Sequence, residues 1–385
     1  MKLFKSLLVA PAALGLLAPM TTMANEFNLT DVSGYSSSKE VKNISEFNAA
    51  KELAVTNSRV DGLESRFNNF EAGAFSETTT ASFSADMAIG AEDGGSEEAV
   101  QAYYGFQIDL NTSFTGEDSL DISIDAGNAG GAVGEFDLNG PVGTSSDVLN
   151  VDGVSYTFPL GDKTTVIVGD NTDGSALFST ACAYGGPSNT LDDCGNVNAG
   201  ITGGGTAIGA SYDIGNGFTA AVGYAGAGST TGGLMTKESA DAYGLNVMYT
   251  ADTYGVSVTY GMTEDGTGED DSYTAFNGYW SPDGFPSVSV GYEVGDDGSE
   301  AATADELTSY FVGLQWDEVG PGTFGVAAGT STPTIEGGTE LLMYEAFYSY
   351  PINDGMTVTP LVYMKETAGA SDDLTGVMVK TSFSF

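Results

Sequence analysis

From about residue 75 to the end of the chain, apolar and polar side chains alternate with a period of two. In the stretch from Val100 to Phe114, Val100, Ala102, Tyr104, Phe106, Ile108 and Leu110 fall on one face. Gln101, Tyr103, Gln107, Asp109 and Asn111 fall on the other. Tyr254, Val256, Val258 and Tyr260 alternate with Gly255, Ser257 and Thr259 in the same way, as do Val288, Val290, Tyr292 and Val294 with Ser287, Ser289, Gly291 and Glu293. In the last stretch, LTGVMVKTSFSF, Val377, Val379, Thr381, Phe383 and Phe385 share a face opposite Gly376, Met378, Lys380, Ser382 and Ser384. Strict alternation of this kind predicts strands with one apolar face.

Sixteen strands can be marked, the first near Thr80–Ala91. Seven short turns join them, near 115–119, 161–164, 215–217, 251–253, 282–286, 318–322 and 352–355, rich in the Gly, Pro, Asn and Asp that tight turns need. Between these lie eight longer acidic connections such as EDGGSEEA and DDGSEAATADE. The expected fold is all-β: a 16-stranded antiparallel transmembrane β-barrel over 75–385, short turns on one side and long loops on the other. Aromatic residues flanking the short turns, among them Phe114, Phe158, Tyr212, Phe218, Trp280, Trp316 and Tyr350, fit a girdle at one membrane interface. A soluble sandwich also alternates. Its polar face would carry Lys and Glu, whereas here that face is mostly Ser, Thr, Gly, Gln and Asn.

The period changes before residue 75. Leu53, Val60, Leu63, Phe67 and Phe70 recur at helical spacing, with Arg59, Glu64 and Arg66 off the stripe. Residues 25–74 therefore read as a periplasmic segment with a short coiled-coil helix that would join three copies. The competing reading is an amphipathic helix packed under the barrel mouth. Residues 1–24 read as a signal peptide: Lys2 and Lys5, an apolar run too short to span, then Thr22-Met23-Ala24.

Composition narrows the chemistry. The chain has 53 Asp and Glu, 11 Lys and Arg, no His, and a net charge of -42. Without His there is no Ser-His-Asp or Cys-His catalytic set, and no His-built metal site. Such acidity makes nucleic acid an implausible partner. No enzyme activity and no cofactor are expected, apart from loose divalent-cation binding by the acidic loops. From residue 75 to the end there are 45 acidic residues against Lys163, Lys237, Lys365 and Lys380, and no Arg.

Several stretches resemble the cyanobacterial outer-membrane porins: the leader MKLFKSLLVAPAALGLLAP, SRVDGLESRF, NGYWSPDGFPSVSVGYE, EAFYSYPINDGMTVTPLVY and the final Phe-ending strand. That family is related to carbohydrate-selective porins, and some members are described as iron-uptake porins. The resemblance implies a water-filled channel for small hydrophilic solutes and inorganic ions in the bacterial outer membrane. It implies lipid as surroundings and a homotrimer as assembly. Phe383 and Phe385 resemble the signal read by the barrel-assembly machinery. Family members commonly carry a surface-layer-homology domain, for which the segment from Asn25 to Ala54 is too short. The rival reading is a structural or adhesive barrel with a closed lumen.

Cys182 and Cys194 lie in the connection between the fifth and sixth strands, and the leader sends the chain to an oxidising compartment, so a disulfide is expected. This is the third long loop, which in sixteen-stranded porins commonly folds inward. Asp170, Asp173, Asp192 and Asp193 would then line a constriction, with Lys365 and Lys380 as a weak basic pole on adjacent strands. The other reading is a stapled surface loop. An acidic lumen should prefer cations. Gly203–Gly205 is expected to lie in a strand, allowing curvature.

Overall fold

The structure is a computed structural model that describes residues 78–95, 99–128, 134–135, 138, 147–237, 239–264, 270–296, 298, 306–369 and 373–385. The expected signal peptide over 1–24 and the expected helical stripe Leu53, Val60, Leu63, Phe67 and Phe70 lie outside the described residues.

The alternating segments form β1 (Thr79–Asp93), β2 (Gln101–Thr112), β3 (Ser119–Gly127), β4 (Asn150–Pro159), β5 (Thr164–Thr172), β6 (Gly205–Gly215), β7 (Phe218–Gly226), β8 (Asp241–Thr250) and β9 (Tyr254–Glu264). They continue as β10 (Asp270–Trp280), β11 (Ser287–Asp296), β12 (Glu306–Val319), β13 (Gly322–Thr330), β14 (Thr334–Ile335), β15 (Leu342–Asn353), β16 (Met356–Lys365) and β17 (Leu374–Ser384). β14 is a two-residue ladder that pairs with Leu307 and Thr308, where β12 outruns β13. The other sixteen pair antiparallel with their neighbours, and β17 returns to β1, so the sheet closes. Closure leaves no unpaired strand edge, which a bilayer core would not tolerate.

The closing seam is specific. Ala85 lies across from Phe383, and Phe83 and Phe385 exchange both backbone hydrogen bonds, at 2.9 and 3.0 Å. Their rings stack at 5.7 Å. Tight turns follow from residue type. The β6–β7 turn is Asn216-Gly217, with φ of 55° and 85°. Asn and Gly adopt this left-handed pair at least cost, and its twist matches the flanking strands. In the β2–β3 turn, the Asp118 carboxylate accepts from Phe114 N, Thr115 N, Ser113 Oγ, Thr115 Oγ1 and Tyr156 Oη.

Burial shows which face is which. Met87, Val222, Val256, Val290, Val312 and Val377 are about half exposed, while Ser257, Thr259, Ser289 and Ser309 are buried. The apolar set faces outward, where lipid would cover it. The small polar set faces inward. Aromatics cluster on the outer face at the short-turn end, as Phe114–Tyr156–Phe158, Phe218–Tyr249–Tyr254 and Trp316–Phe324.

Two expectations shift. The connection EDGTGEDDS is shorter than expected, because β9 and β10 pair out to Glu264 and Asp270. Gly203 and Gly204 are not in a strand; β6 begins only at Gly205.

Candidate functional site

The inward polar residues are buried because a loop lies on them. The connection from 173 to 204, L3, runs along the inner wall rather than over the outside. Its outgoing limb is extended, and alternate backbone N–H groups find an inward side chain on β8, β9, β11 and β12 in turn. Ser179 N donates to Asn246 Oδ1 (3.0 Å, β8), and Ala181 N to Ser257 Oγ (2.9 Å, β9). Ala183 N donates to Ser289 Oγ (2.9 Å, β11), and Gly185 N to Gln315 Oε1 (2.9 Å, β12). Asn246 Nδ2 also donates to Ser179 O at 3.1 Å. An extended segment with no neighbouring strand must satisfy its backbone this way, since an unpaired buried N–H is costly.

Tyr184 then reaches Glu345 on β15, its hydroxyl 2.6 Å from Oε1. On the returning limb, Asn277 Nδ2 (β10) donates to Cys194 O at 2.8 Å. Glu293 on β11 accepts from Asn198 N, Asn198 Nδ2 and Ala199 N at 2.8–3.0 Å. The wall is cut back to admit the loop. A Cβ on Gly223 would overlap Gly174 O, and one on Gly291 would overlap Cys194 O.

The Cys182–Cys194 disulfide is present and closes the ring at the far end of L3. The ring packs into an apolar cluster inside the barrel: Tyr184, Leu191 and Cys194 against Phe311, Met343, Phe347, Leu361, Tyr363 and Met378. The connection between β3 and β4, L2, joins it. Leu138 is part of the cluster. Glu135 O accepts from Asn189 N at 2.7 Å, Glu135 Oε2 accepts from Thr190 Oγ1 at 2.7 Å, and Glu135 Oε1 pairs with Lys365 Nζ at 2.8 Å. Lys365 Nζ also donates to Thr190 Oγ1 at 2.9 Å. Tyr363 hydrogen-bonds Glu92 on the same wall. The β12–β17 side of the interior is thus filled.

The opposite side keeps space. A cavity of about 740 Å³ lies between L3 and β3–β5, lined by Asp121, Ser123, Asp152, Ser155, Asn171 and Asp173 among others, with no Lys or Arg. A second, of about 360 Å³, lies between the returning limb of L3 and the ends of β7–β9.

The six charged residues expected at a constriction do not converge. Asp173 lines the larger cavity, and burial, then the nearby Asp152, raises its carboxyl above the usual range. Asp192 is exposed on the ring. Asp193 is turned back: it accepts from Gly195 N at 2.8 Å, and burial pushes it up to about 7, with Asp192 and Glu293 adding to the rise against that hydrogen bond. Asp170 requires a correction. It lies opposite outward-facing Val154 and accepts from Thr206 Oγ1 at 3.0 Å, on the outer face near the rim. Lys365 is occupied by Glu135. Lys380 faces a separate inner recess with Ser84, Asp86, Thr357 and Ser382.

Sequence reasoning missed two sets of residues. The first is the inward partners of L3: Asn246, Ser257, Asn277, Ser289, Glu293, Gln315 and Glu345. The second is the inward apolar residues of β12–β17. Their signal is present as stretches apolar on both faces, such as LMYEAF and PLVYM.

No protein-family model matches the chain. An uncharacterized protein of Nostoc sp. is 34% identical over 137 residues, which is 30% of this chain and 23% of that protein. The chain therefore spans about a quarter of that relative's length. Among solved structures, OprB of Pseudomonas putida superposes with a TM-score of 0.59 at 13% identity, over 80% of this chain and 94% of that one. OmpT, an outer membrane protein of Vibrio cholerae, here a loop L8 deletion, gives 0.56 at 10% identity, over 80% and 100%. A mutant of the Rh. blastica porin gives 0.51 at 15%, over 80% and 100%. These likenesses are of fold. With the closed sheet and the apolar outer belt, they place the barrel in a bacterial outer membrane.

Proposed function

We propose that this barrel is a diffusion channel for small hydrophilic solutes and inorganic ions, and that it prefers cations. One observation carries the reading: the larger interior cavity is lined by Asp121, Asp152 and Asp173 with no cationic side chain. Carboxylates along a confined aqueous path hold a negative potential there, which concentrates cations and repels anions. L3 supplies Asp173 and narrows the path. Asp192 and Asp193, expected with Asp170 and Asp173 at the constriction, are secondary here, because one sits on the ring surface and the other is turned into it.

A homotrimer joined through the stripe at Leu53–Phe70, and recognition of Phe383 and Phe385 by the assembly machinery, belong to the same proposal and rest on the sequence. Sugars and iron are solutes the family resemblance nominates for testing. One observation favours the rival, a closed structural barrel: L2 and L3 fill one side of the interior. Single-channel recording in planar bilayers separates the two. Discrete, stable conductance steps in KCl support a channel. A purified, folded barrel that inserts without conducting supports the closed barrel.

A further inference from the structure

One cation ties the wall and two loops together inside the barrel. Lys365 ends β16 on the inward face that Leu361 and Tyr363 share. Its Nζ donates to Glu135 Oε1 of L2 at 2.8 Å and to Thr190 Oγ1 of L3 at 2.9 Å. The Thr190 hydroxyl donates in turn to Glu135 Oε2 at 2.7 Å. Wall, L2 and L3 thus close a triangle in which every bond involves a charged group, the stronger kind of hydrogen bond.

The other ionised side chains around this triangle are acidic. Glu92 on β1 is within electrostatic reach of both Glu135 and Lys365. Glu345 on β15 is within reach of Glu135 and Asp192. Glu92, Glu135 and Glu345 are all buried. Without the Lys365 charge they would face one another with hydroxyls as side-chain partners: Tyr363 for Glu92, Thr190 for Glu135 and Tyr184 for Glu345. A buried carboxylate that loses its cation is costly. Glu92 and Glu345 belong to wall strands and are fixed there. Glu135 belongs to a loop, so it regains water most cheaply if L2 leaves the wall. Leu138 in the apolar cluster and the close approach of Gly134 to the Met378 side chain would leave with it.

We propose that Lys365 is a positioning residue of the channel: it clamps L2 and the tip of L3 against β16 and so keeps the β12–β17 side of the lumen shut. Its charge is spent on Glu135 and Thr190 rather than offered to a passing solute as a weak basic pole. The two roles differ in their consequences. Neutralising a pole would strengthen cation preference at the same pore size. Removing a clamp enlarges the pore. The clamp rests on the channel reading, because the space it closes becomes conduction path when released.

The test is single-channel recording in planar bilayers, in KCl and then with tetrabutylammonium replacing potassium. Parent, Lys365→Met, Lys365→Arg and Glu135→Ala are compared. Met keeps an apolar stem without the charge, and Arg keeps the charge and offers forked donors. Lys365→Met should conduct about 1.5-fold or more above the parent, as the filled side of a sixteen-stranded lumen opens. Tetrabutylammonium permeability relative to potassium should rise in the same variant. Glu135→Ala should do the same with every wall strand intact, and it decides if Lys365→Met does not assemble. Lys365→Arg should keep the parent's values. Parent conductance and size selection in either assembled neutral variant, even with a lower melting temperature, overturn the clamp and leave the channel reading intact. An enlarged pore in Lys365→Arg also overturns it, because charge would then not be what holds L2. A parent that inserts folded without conducting overturns the channel reading. Neutral variants that then conduct support the clamp, and variants equally silent overturn it too.

Discussion

At the scale of single residues, position decides what each carboxylate's charge can do. Asp193 is held at about 7 by burial, far above a free Asp. Its folded value is raised, so the stability it adds is fully present below the unfolded value and is lost as pH rises through about 7. The L3 ring should therefore be held more tightly in mild acid than above neutrality. Hydrogen exchange at the amides of 179–185 should speed up between roughly pH 4 and 7 beyond its intrinsic pH dependence and level off above that, and Asp193→Asn should remove that excess. An excess that survives in the variant would place its origin elsewhere. The sidedness of Asp170 was legible, because it shares parity with Val166 and Val168. Inclusion in an acidic loop masked that parity. Asp152 was not legible, because a bulge in β4 reverses parity without marking composition.

At the scale of elements, L3 behaves as a strap whose backbone is satisfied by the wall and whose tip is locked by apolar packing. Its disulfide closes a ring of 13 residues, counting both cysteines. A ring of that size contributes roughly 3 kcal/mol of loop ordering in the chain-entropy account. Replacing both cysteines with Ser should leave the strand signal in circular dichroism unchanged and lower amide protection within 183–193. Leu191→Ala, at the centre of the apolar cluster, should cost about 2–5 kcal/mol of local or global stability. Thermal unfolding and exchange of the variant would check this, and an unchanged ring would mean the cluster does not hold L3. The disulfide and the ordinal position of L3 could be read from spacing and connection counting. The anchors could not, because Ser257 and Ser289 look like ordinary inward polar positions until a backbone N–H arrives to use them. Glu293 and Glu345 misled for the same reason. They raise the acidic count, yet both are buried beneath L3 as hydrogen-bond acceptors.

At the scale of the whole molecule, alternation and turn chemistry specified the barrel, its strand number and its closure. Period-two patterning and outward aromatic rings are local properties that a closed sheet merely repeats. The contents of the lumen were hidden, because two loops far apart in sequence meet there through Glu135, Thr190 and Lys365. The seam gives Phe385 a role in the finished fold, beside the assembly role proposed for it: it exchanges two hydrogen bonds and a stacked ring with Phe83. Deleting Phe385 should lower the yield of folded barrel in the membrane and also the melting temperature of whatever assembles. Normal yield with unchanged melting would contradict this. The central claim concerns the path left open beside L3, and the reversal potential across a KCl gradient tests it most directly. A cation-preferring potential in the parent is predicted, collapsing toward zero in Asp121→Asn, Asp152→Asn, Asp173→Asn. An anion preference in the parent, or a cation preference untouched by the triple replacement, would contradict the account.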